Sequence, residues 1–300
     1  MEHKQTFSLI SNKFRHHAAE WAIAIFLTLL YAPLLLHWYD GWLHKSISIE
    51  HEYFSHGLLG LPFAGYLAWT LGNRWRSLAD TTHPAGFVLL VIGMLLYFSP
   101  MDALVNLSFP VVLAGLCLWF KGTAGLRLQA FPLILILLAT PHELPYLIAP
   151  YTLPLQRFIA GTAGFILWQL GMDVTVNQIY LYVNDRVVEV APYCAGLKML
   201  FTSLYVGLML VYWTGLTSRV KRVTFFSGIV AISVIANIIR NTVLTYFHGS
   251  GRDGAFVWLH ESWGGDVYSA LMLGSLVMLL RVIDDRLSEP RAAAAPSTNA

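Results

Sequence analysis

The sequence predicts an all-α polytopic membrane protein of about eight transmembrane helices, with one re-entrant or interfacial segment and a small outer β-hairpin. Of its 300 residues, 56% are hydrophobic and only 12% are charged. Apolar runs near the ~20 residues of a membrane-spanning helix recur along the whole chain. This composition excludes a soluble domain, and a net charge of +2 does not indicate nucleic-acid binding.

The N-terminal segment, residues 1–20, is polar and basic and is expected to be cytoplasmic. It leads into an apolar run that is too long for a cleavable signal peptide, so we expect no signal to be removed. The transmembrane domain is predicted to cover residues 21–284. Residues 285–300, rich in Ala, Pro and Ser, are expected to form a disordered cytoplasmic tail.

Eight apolar runs within this domain are candidate spans. They are residues 21–38, 56–71, 84–98, 104–120, 128–140, 194–213, 223–247 and 266–283. Basic residues cluster at Lys13/Arg15, Arg74/Arg76, Lys121/Arg127, Arg219/Lys221/Arg222 and Arg281/Arg286. Because short loops rich in Lys and Arg stay cytoplasmic, we expect both termini on the inner side of the plasma membrane.

A further apolar segment, residues 151–170, conflicts with this topology. Arg127 and Arg222 are both assigned to the cytoplasm. The helix that begins at Cys194 starts on the outer side and returns the chain to the cytoplasm before Arg222. Only one crossing therefore fits before Cys194, so either 128–140 or 151–170 spans and the other lies along or dips into the membrane. Polar residues and glycines dilute 151–170, which favours this one as the re-entrant or interfacial segment.

Residues 174–190 have the composition of a small β-hairpin. The segment is rich in β-branched and aromatic residues that alternate with polar ones. Its two predicted arms, 174–183 and 186–190, are joined by Asn184 and Asp185. The hairpin is expected on the outer face, where it leads the chain to Cys194.

Cys194 is the candidate nucleophile. It is one of two cysteines and stands where a polar, strand-like stretch becomes an apolar helix. A thiol at the water edge can ionise, whereas one inside lipid cannot. Cys117 lies inside an apolar run and is expected to be a packing residue. Two cysteines on distant segments provide neither a disulfide framework nor metal-ligand spacing, so we expect no metal and no cofactor.

Arg240 lies inside a hydrophobic helix, where a charge costs at least ~2.5 to 3.5 kcal/mol unless it faces a polar cavity. A polar stripe on one helix face contains Ser233, Asn237, Arg240, Asn241 and Leu244. The helix is expected to end near Phe247, so Arg240 lies ~10 Å below the outer surface. This depth is close to the one expected for Cys194. The alternative is an arginine that bonds backbone carbonyls or extends outward to water.

His260, in the outer loop before the last helix, is the third candidate. A histidine there titrates near neutral pH and could take or share the thiol proton. Taken singly, it is better explained as an ordinary interface residue. His260 becomes a stronger candidate because three different helices are expected to present Cys194, Arg240 and His260 at one membrane face. Lys198 and His56 could assist, although a surface lysine and an interfacial histidine are the simpler interpretations.

These segments resemble the exosortase/archaeosortase family of membrane transpeptidases, in particular its cyanobacterial members. The resemblance rests on Cys194-Ala195-Gly196-Leu197 after the Val-rich hairpin, on Asn237-Ile238-Ile239-Arg240-Asn241, on His260 with Gly264, and on Tyr53-Phe54-Ser55-His56-Gly57. It covers roughly residues 20–284. Family members often carry Ser after the cysteine where this chain has Ala195, so no role is assigned to a hydroxyl there.

The resemblance implies cleavage of a C-terminal sorting signal, which consists of a short motif, a transmembrane helix and a basic tail. Cys194 would form an acyl-thioester, Arg240 would be a proton donor or oxyanion stabiliser, and His260 would stabilise the transition state or act as a base. The implied partners are exported proteins and the lipid bilayer, and the active site would lie on the outer, periplasmic side. A guanidinium stays charged, so it stabilises an oxyanion well and donates a proton poorly.

Two functions of other classes remain open. A transporter in which Arg240 binds an anionic substrate would also explain an intramembrane charge, although no inverted repeat is visible. A membrane acyltransferase would use His260 as its base and leave Cys194 a structural role. Substitution of Cys194 separates these functions from a cysteine transpeptidase.

Overall fold

The computed structural model describes residues 2–44, 48–190 and 197–287. Within these ranges the helices are α1 (Glu2–Leu43), α2 (Ile49–Phe54), α3 (Gly57–Thr70), α4 (Gly72–Ser77), α5 (Pro84–Tyr97), α6 (Asp102–Leu128), α7 (Ala130–Ala139), α8 (Leu144–Ile148), α9 (Leu153–Gln169), α10 (Leu197–Thr214), α11 (Arg219–Gly249), α12 (Asp253–His260) and α13 (Trp263–Leu287). A 3₁₀ turn, Ala149–Thr152, joins α8 to α9. The strands are β1 (Val174–Asn177), β2 (Tyr180–Val183) and β3 (Arg186–Glu189).

Four helices in the described ranges are long and apolar enough to cross a membrane. They are α6, α10, α11 and α13, and the shorter helices α5 and α7 are also apolar. The prediction of a mostly helical, multi-pass membrane protein is therefore confirmed. The number of eight spans stays a prediction.

The lengths of α7 and α9 bear on which of them crosses the membrane. At 1.5 Å per residue, the ten residues of α7 extend ~15 Å and the 17 residues of α9 extend ~25 Å, against a hydrocarbon core of ~30 Å. Neither helix alone reaches across, so the choice between 128–140 and 151–170 stays a prediction. Gln156 and Gly164, which dilute the apolar character of α9, lie on its buried face.

The chain divides into two compact units. The first, unit 1, comprises Met1–His51 and Ala64–His142, and the second, unit 2, comprises Glu52–Phe63 and Glu143–Ala300. In unit 1, α1 packs on α6 through two buried polar contacts. Trp38 Nε1 donates to Asn106 Oδ1 at 2.8 Å, and the Tyr31 hydroxyl lies 3.0 Å from Ser108 Oγ. Buried aromatic side chains on α1 therefore carry their polar atoms to partners within the helix pair.

Helix α6 is bent near its C-terminal end. Gly122 has φ 59° and ψ −153°, a backbone conformation that residues with a Cβ avoid. The preceding Lys121 is buried, and its Nζ donates to the Leu78 carbonyl at 2.9 Å and pairs with Asp80 at 2.5 Å. The charge of Lys121 is thus balanced inside unit 1.

In unit 2, the predicted hairpin forms a three-stranded antiparallel sheet in the order β1-β2-β3. The prediction of one long first arm was wrong, because a tight turn at Gln178 and Ile179 divides it into β1 and β2. Gln178 adopts φ 57°, and Asn184 and Asp185 adopt φ 45° and 64°. Two consecutive residues with positive φ are typical of the type I′ turn, so the second turn falls at the predicted Asn184-Asp185.

The sheet is held against α9 and α11. Leu181 and Val190 are buried with Ile159 and Ala163 of α9, and Ile238 of α11 packs on the same cluster. At the C-terminal end of α11, where carbonyls lack partners within the helix, Asn184 Nδ2 donates to Gly249 O at 3.1 Å and Arg186 Nη1 donates to His248 O at 3.1 Å.

Arg186 also pairs with Asp253 at the start of α12. This hydrogen bond lowers the pKa of the Asp253 carboxyl. The strand that leads toward Cys194 is thereby attached both to the end of α11 and to the helix that carries His260.

Candidate active site

One close contact determines which residues of α10 and α11 lie side by side along the two helix axes. A Cβ on Gly207 would lie 2.4 Å from Ile229 Cδ1, so these two antiparallel helices touch at this level. Leu197 is ten residues before Gly207 and Arg240 is eleven residues after Ile229. Because each residue rises ~1.5 Å along either helix, Arg240 lies about level with the first residue of α10.

The first turn of α13 reaches the same level. A Cβ on Gly265 would lie 3.9 Å from Arg240 Nη2, and the Tyr268 hydroxyl donates to the Ala236 carbonyl of α11. Arg240 is half-buried, nine residues before the end of α11, which places it ~13 Å from that end. The guanidinium therefore lies at the junction of α11 with the start of α13.

His260, the last residue of α12, lies close to Arg240. Its ring stacks on Phe256 one turn earlier, with centroids 5.2 Å apart and an interplanar angle of 11°. Burial lowers the pKa of His260 and the positive charge of Arg240 lowers it further, while Glu261, with a carboxylate oxygen 3.9 Å from His260 Nδ1, acts in the opposite direction. Burial and the charge of Arg240 thus favour the neutral form of the imidazole.

Two glycines bring α12 and α13 together. A Cβ on Gly264 would lie 2.6 Å from the Trp258 ring and 2.7 Å from the Trp258 carbonyl oxygen. A Cβ on Gly265 would lie 2.9 Å from the Leu259 carbonyl oxygen. Any larger residue at these positions would push α12 away, so the two glycines determine how near His260 comes to Arg240.

A buried ridge along α11 changes from apolar to polar at mid-helix. Its members follow a spacing of four residues: Phe225, Ile229, Ser233, Asn237, Asn241 and Thr245. Asn241 Nδ2 donates to Asn237 O at 2.9 Å and to Asn237 Oδ1 at 3.1 Å. In the part of the chain that the structure describes, Asn237 Nδ2 and the hydroxyls of Ser233 and Thr245 have no hydrogen-bond partner. The polar half of the ridge thus lies on the half of α11 that carries Arg240.

The early motif, Tyr53-Phe54-Ser55-His56-Gly57, contributes buried groups to unit 2. The His56 ring lies 4.4 Å from the Tyr205 ring, and Gly60 leaves space for the Tyr205 hydroxyl, since a Cβ there would be 1.8 Å away. His56 is therefore buried rather than interfacial. Burial raises the pKa of Glu52, and the charge of Lys198 opposes this shift, so residues before α3 lie near the first turn of α10.

Two of the three predicted site residues, Arg240 and His260, lie within the described ranges. Arg240 and His260 lie together, at the level of Leu197. Cys194 and Ala195 lie outside the described residues. No cluster of three His, Cys, Asp or Glu side chains that could hold a metal ion occurs in residues 2–44, 48–190 and 197–287.

Phe256, Gly265 and Tyr268 were not among the residues predicted from the sequence. Phe256 could have been found from its position four residues before His260, since such pairs share a helix face. The Gly-Gly pair before an apolar helix was a second available signal. No sequence signal indicated Tyr268, because its hydrogen bond joins residues that are 32 apart in the sequence.

Comparison with known proteins agrees with the resemblance read from the motifs. The family model of the transmembrane exosortases matches residues 38–277, four fifths of the chain. That range includes the early motif, Cys194, Arg240 and His260. Neither a protein of curated function nor a solved structure matches significantly.

Proposed function

We propose that this chain, which belongs to the transmembrane exosortase family, is a cysteine transpeptidase that cleaves the C-terminal sorting signal of exported proteins. Family membership supports a membrane-embedded protease or transpeptidase in general terms. The observation that carries the more specific proposal is the proximity of the Arg240 guanidinium, at the level of Leu197, to His260, whose pKa is lowered by burial and by Arg240. These are the two kinds of side chain that a thiol nucleophile requires for acyl transfer.

Cys194 is proposed as the nucleophile. It precedes Leu197, the first residue of α10, by three residues in the sequence. Arg240 and Lys198 are positive charges near this end of α10, and positive charges favour the reactive thiolate.

Arg240 is proposed to stabilise the oxyanion. Its guanidinium lies at the junction of α11 with the start of α13, where a Cβ on Gly265 would be 3.9 Å from Nη2. Because a guanidinium does not lose its proton near neutral pH, it suits a developing negative charge better than it suits proton donation.

His260 is proposed to carry the proton. In its neutral form it accepts the proton of the Cys194 thiol, and the thiolate attacks the carbonyl carbon of the scissile peptide bond. The tetrahedral oxyanion collapses, the carbon–nitrogen bond breaks, and the leaving amine takes the proton back from His260. The product is an acyl-thioester on Cys194, which water or an amine then attacks to restore the thiol.

The orientation follows from the distribution of basic residues. Clusters such as Arg74/Arg76 and Arg219/Lys221/Arg222 belong on the cytoplasmic side of the inner membrane, which places both termini there as well. The sheet and the loop before α13 then face the periplasm. This is the side on which exported substrates are found.

Substitution of Cys194 tests the proposal. Cys194→Ala should abolish shortening of a co-expressed exported protein with a C-terminal helix and basic tail, at an unchanged level of the membrane protein. Cys117→Ala is the matched control and should be nearly silent, because Cys117 lines an apolar cavity in unit 1. Normal shortening by Cys194→Ala would refute the cysteine mechanism and would leave an acyltransferase or transporter as the better explanation.

A further inference from the structure

Unit 1 has an open, largely apolar cavity of about 350 Å³. Its walls come from α1, α3, α4, α6 and α7, and α6 contributes Leu113, Leu116, Cys117 and Phe120 from one of its faces. Gln129, between α6 and α7, adds an amide near one end. Apolar cavities exclude ordered water and accept hydrocarbon, so the natural occupant of this space is an aliphatic chain.

A second cavity, of about 370 Å³, adjoins the first and is more polar. It is lined by Trp69, Thr70, Gly72, Asn73 and Arg76. Gly72 lines both cavities, and a Cβ at Gly72 would meet no atom within 4 Å. The two cavities therefore meet at Gly72, and the second one, the mouth, carries a guanidinium and an amide.

The mouth lies at the basic end of unit 1. Trp75 of α4 packs near the end of α6, where a Cβ on Gly125 would lie 3.0 Å from Trp75 Cζ3. Arg127 follows two residues later on α6, and Arg74 and Arg76 are exposed on α4. The basic residues assign this end to the cytoplasmic leaflet, which is rich in anionic lipid.

We propose that these joined cavities bind one anionic phospholipid. An acyl chain occupies the apolar cavity, and the phosphate lies at the mouth against Arg76 and Asn73. A guanidinium binds phosphate through paired N–H groups, and the Trp69 ring suits the boundary between hydrocarbon and headgroup. The site lies in unit 1 and does not depend on the proposed peptidase activity.

The test uses the full-length protein purified in a mild detergent. Phospholipid retained per chain is measured by native mass spectrometry after exchange into phosphatidylglycerol or phosphatidylcholine. Wild-type protein should retain one phosphatidylglycerol and at least about tenfold less phosphatidylcholine. Inorganic phosphate at millimolar concentration should not displace the lipid, since the acyl chain supplies most of the binding.

Two variants address the two halves of the site, and each has a matched control. Gly72→Leu places a side chain into the open junction without a clash and should reduce retention at least about tenfold, whereas Gly65→Leu, at an exposed position of α3 with similar free space, should not. Arg76→Gln should remove the preference for phosphatidylglycerol, whereas Arg74→Gln, two residues away, should keep it. Equal effects of the two arginine variants, undiminished retention in Gly72→Leu, or displacement by inorganic phosphate would each overturn the proposal.

Discussion

Gly264→Ala tests whether the packing of α12 on α13 positions His260. A methyl group at this position would lie 2.6 Å from the Trp258 ring and 2.7 Å from the Trp258 carbonyl oxygen. Relieving the carbonyl contact to the 3.4 Å of an ordinary contact requires a shift of about 0.7 Å, the difference between those distances. The carbonyl belongs to the backbone of α12, so the helix has to move as a whole and takes His260 with it.

The expected effect can be estimated from this displacement. Overpacking of a buried contact costs ~1–3 kcal/mol of folding free energy, which the protein should survive. A misplacement of ~1 Å at a reacting group can cost ~100-fold in rate, so a shift of this size should lower the rate of substrate shortening by roughly 10- to 100-fold. Loosened packing of α12 on α13 should weaken the burial of His260 and the influence of Arg240, the two causes of its lowered pKa, so this pKa should rise toward the ordinary ~6.5.

The assay combines the rate of substrate shortening with titration of His260 by NMR in detergent micelles. Gly254→Ala, on α12 with His260, is the control: a Cβ there meets no atom within 4 Å, so this variant should keep the wild-type rate and the lowered pKa. If Gly264→Ala keeps both the wild-type rate and the wild-type pKa of His260, the close packing of α12 on α13 does not position the histidine.

Three further predictions concern the charges and the topology of the site. Arg240→Lys keeps the charge but loses the planar fork, so activity should fall at least about tenfold, or ~1.4 kcal/mol in the barrier; full activity would make Arg240 a structural anchor. Because burial and Arg240 lower the pKa of His260, the unfolded chain binds its proton more readily than the folded one. The unfolding free energy should therefore fall as the pH decreases below ~6.5, and this loss should be smaller in His260→Ala, whereas equal pH profiles would contradict the lowered pKa. An impermeant thiol reagent applied from outside, in a Cys194→Ala background, should label a cysteine placed at Asp185 and miss one placed at Ser77, and the opposite pattern would invert the proposed orientation.

The membrane class and the candidate residues followed from the sequence because they depend on local properties. Hydropathy along the chain is sufficient to identify α6, α10, α11 and α13, since an apolar helix of this length has few alternatives in lipid. The stripe around Asn237 and Arg240 follows from helical periodicity alone. The turn at Asn184-Asp185 follows from the tolerance of these residue types for positive φ.

The relative heights and distances of these residues were decided only by the tertiary structure. Periodicity determines the face of α11 that carries Arg240, whereas the contact between Gly207 and Ile229 determines which residue of α10 lies beside it. The proximity of His260 to Arg240 likewise depends on Gly264, where the absence of a Cβ lets two helices touch. Contacts of this kind join residues far apart in the sequence, and their geometry depends on the volumes of side chains on both helices. A single sequence therefore identifies the residues that could act together, and packing decides which of them come within reach of one another.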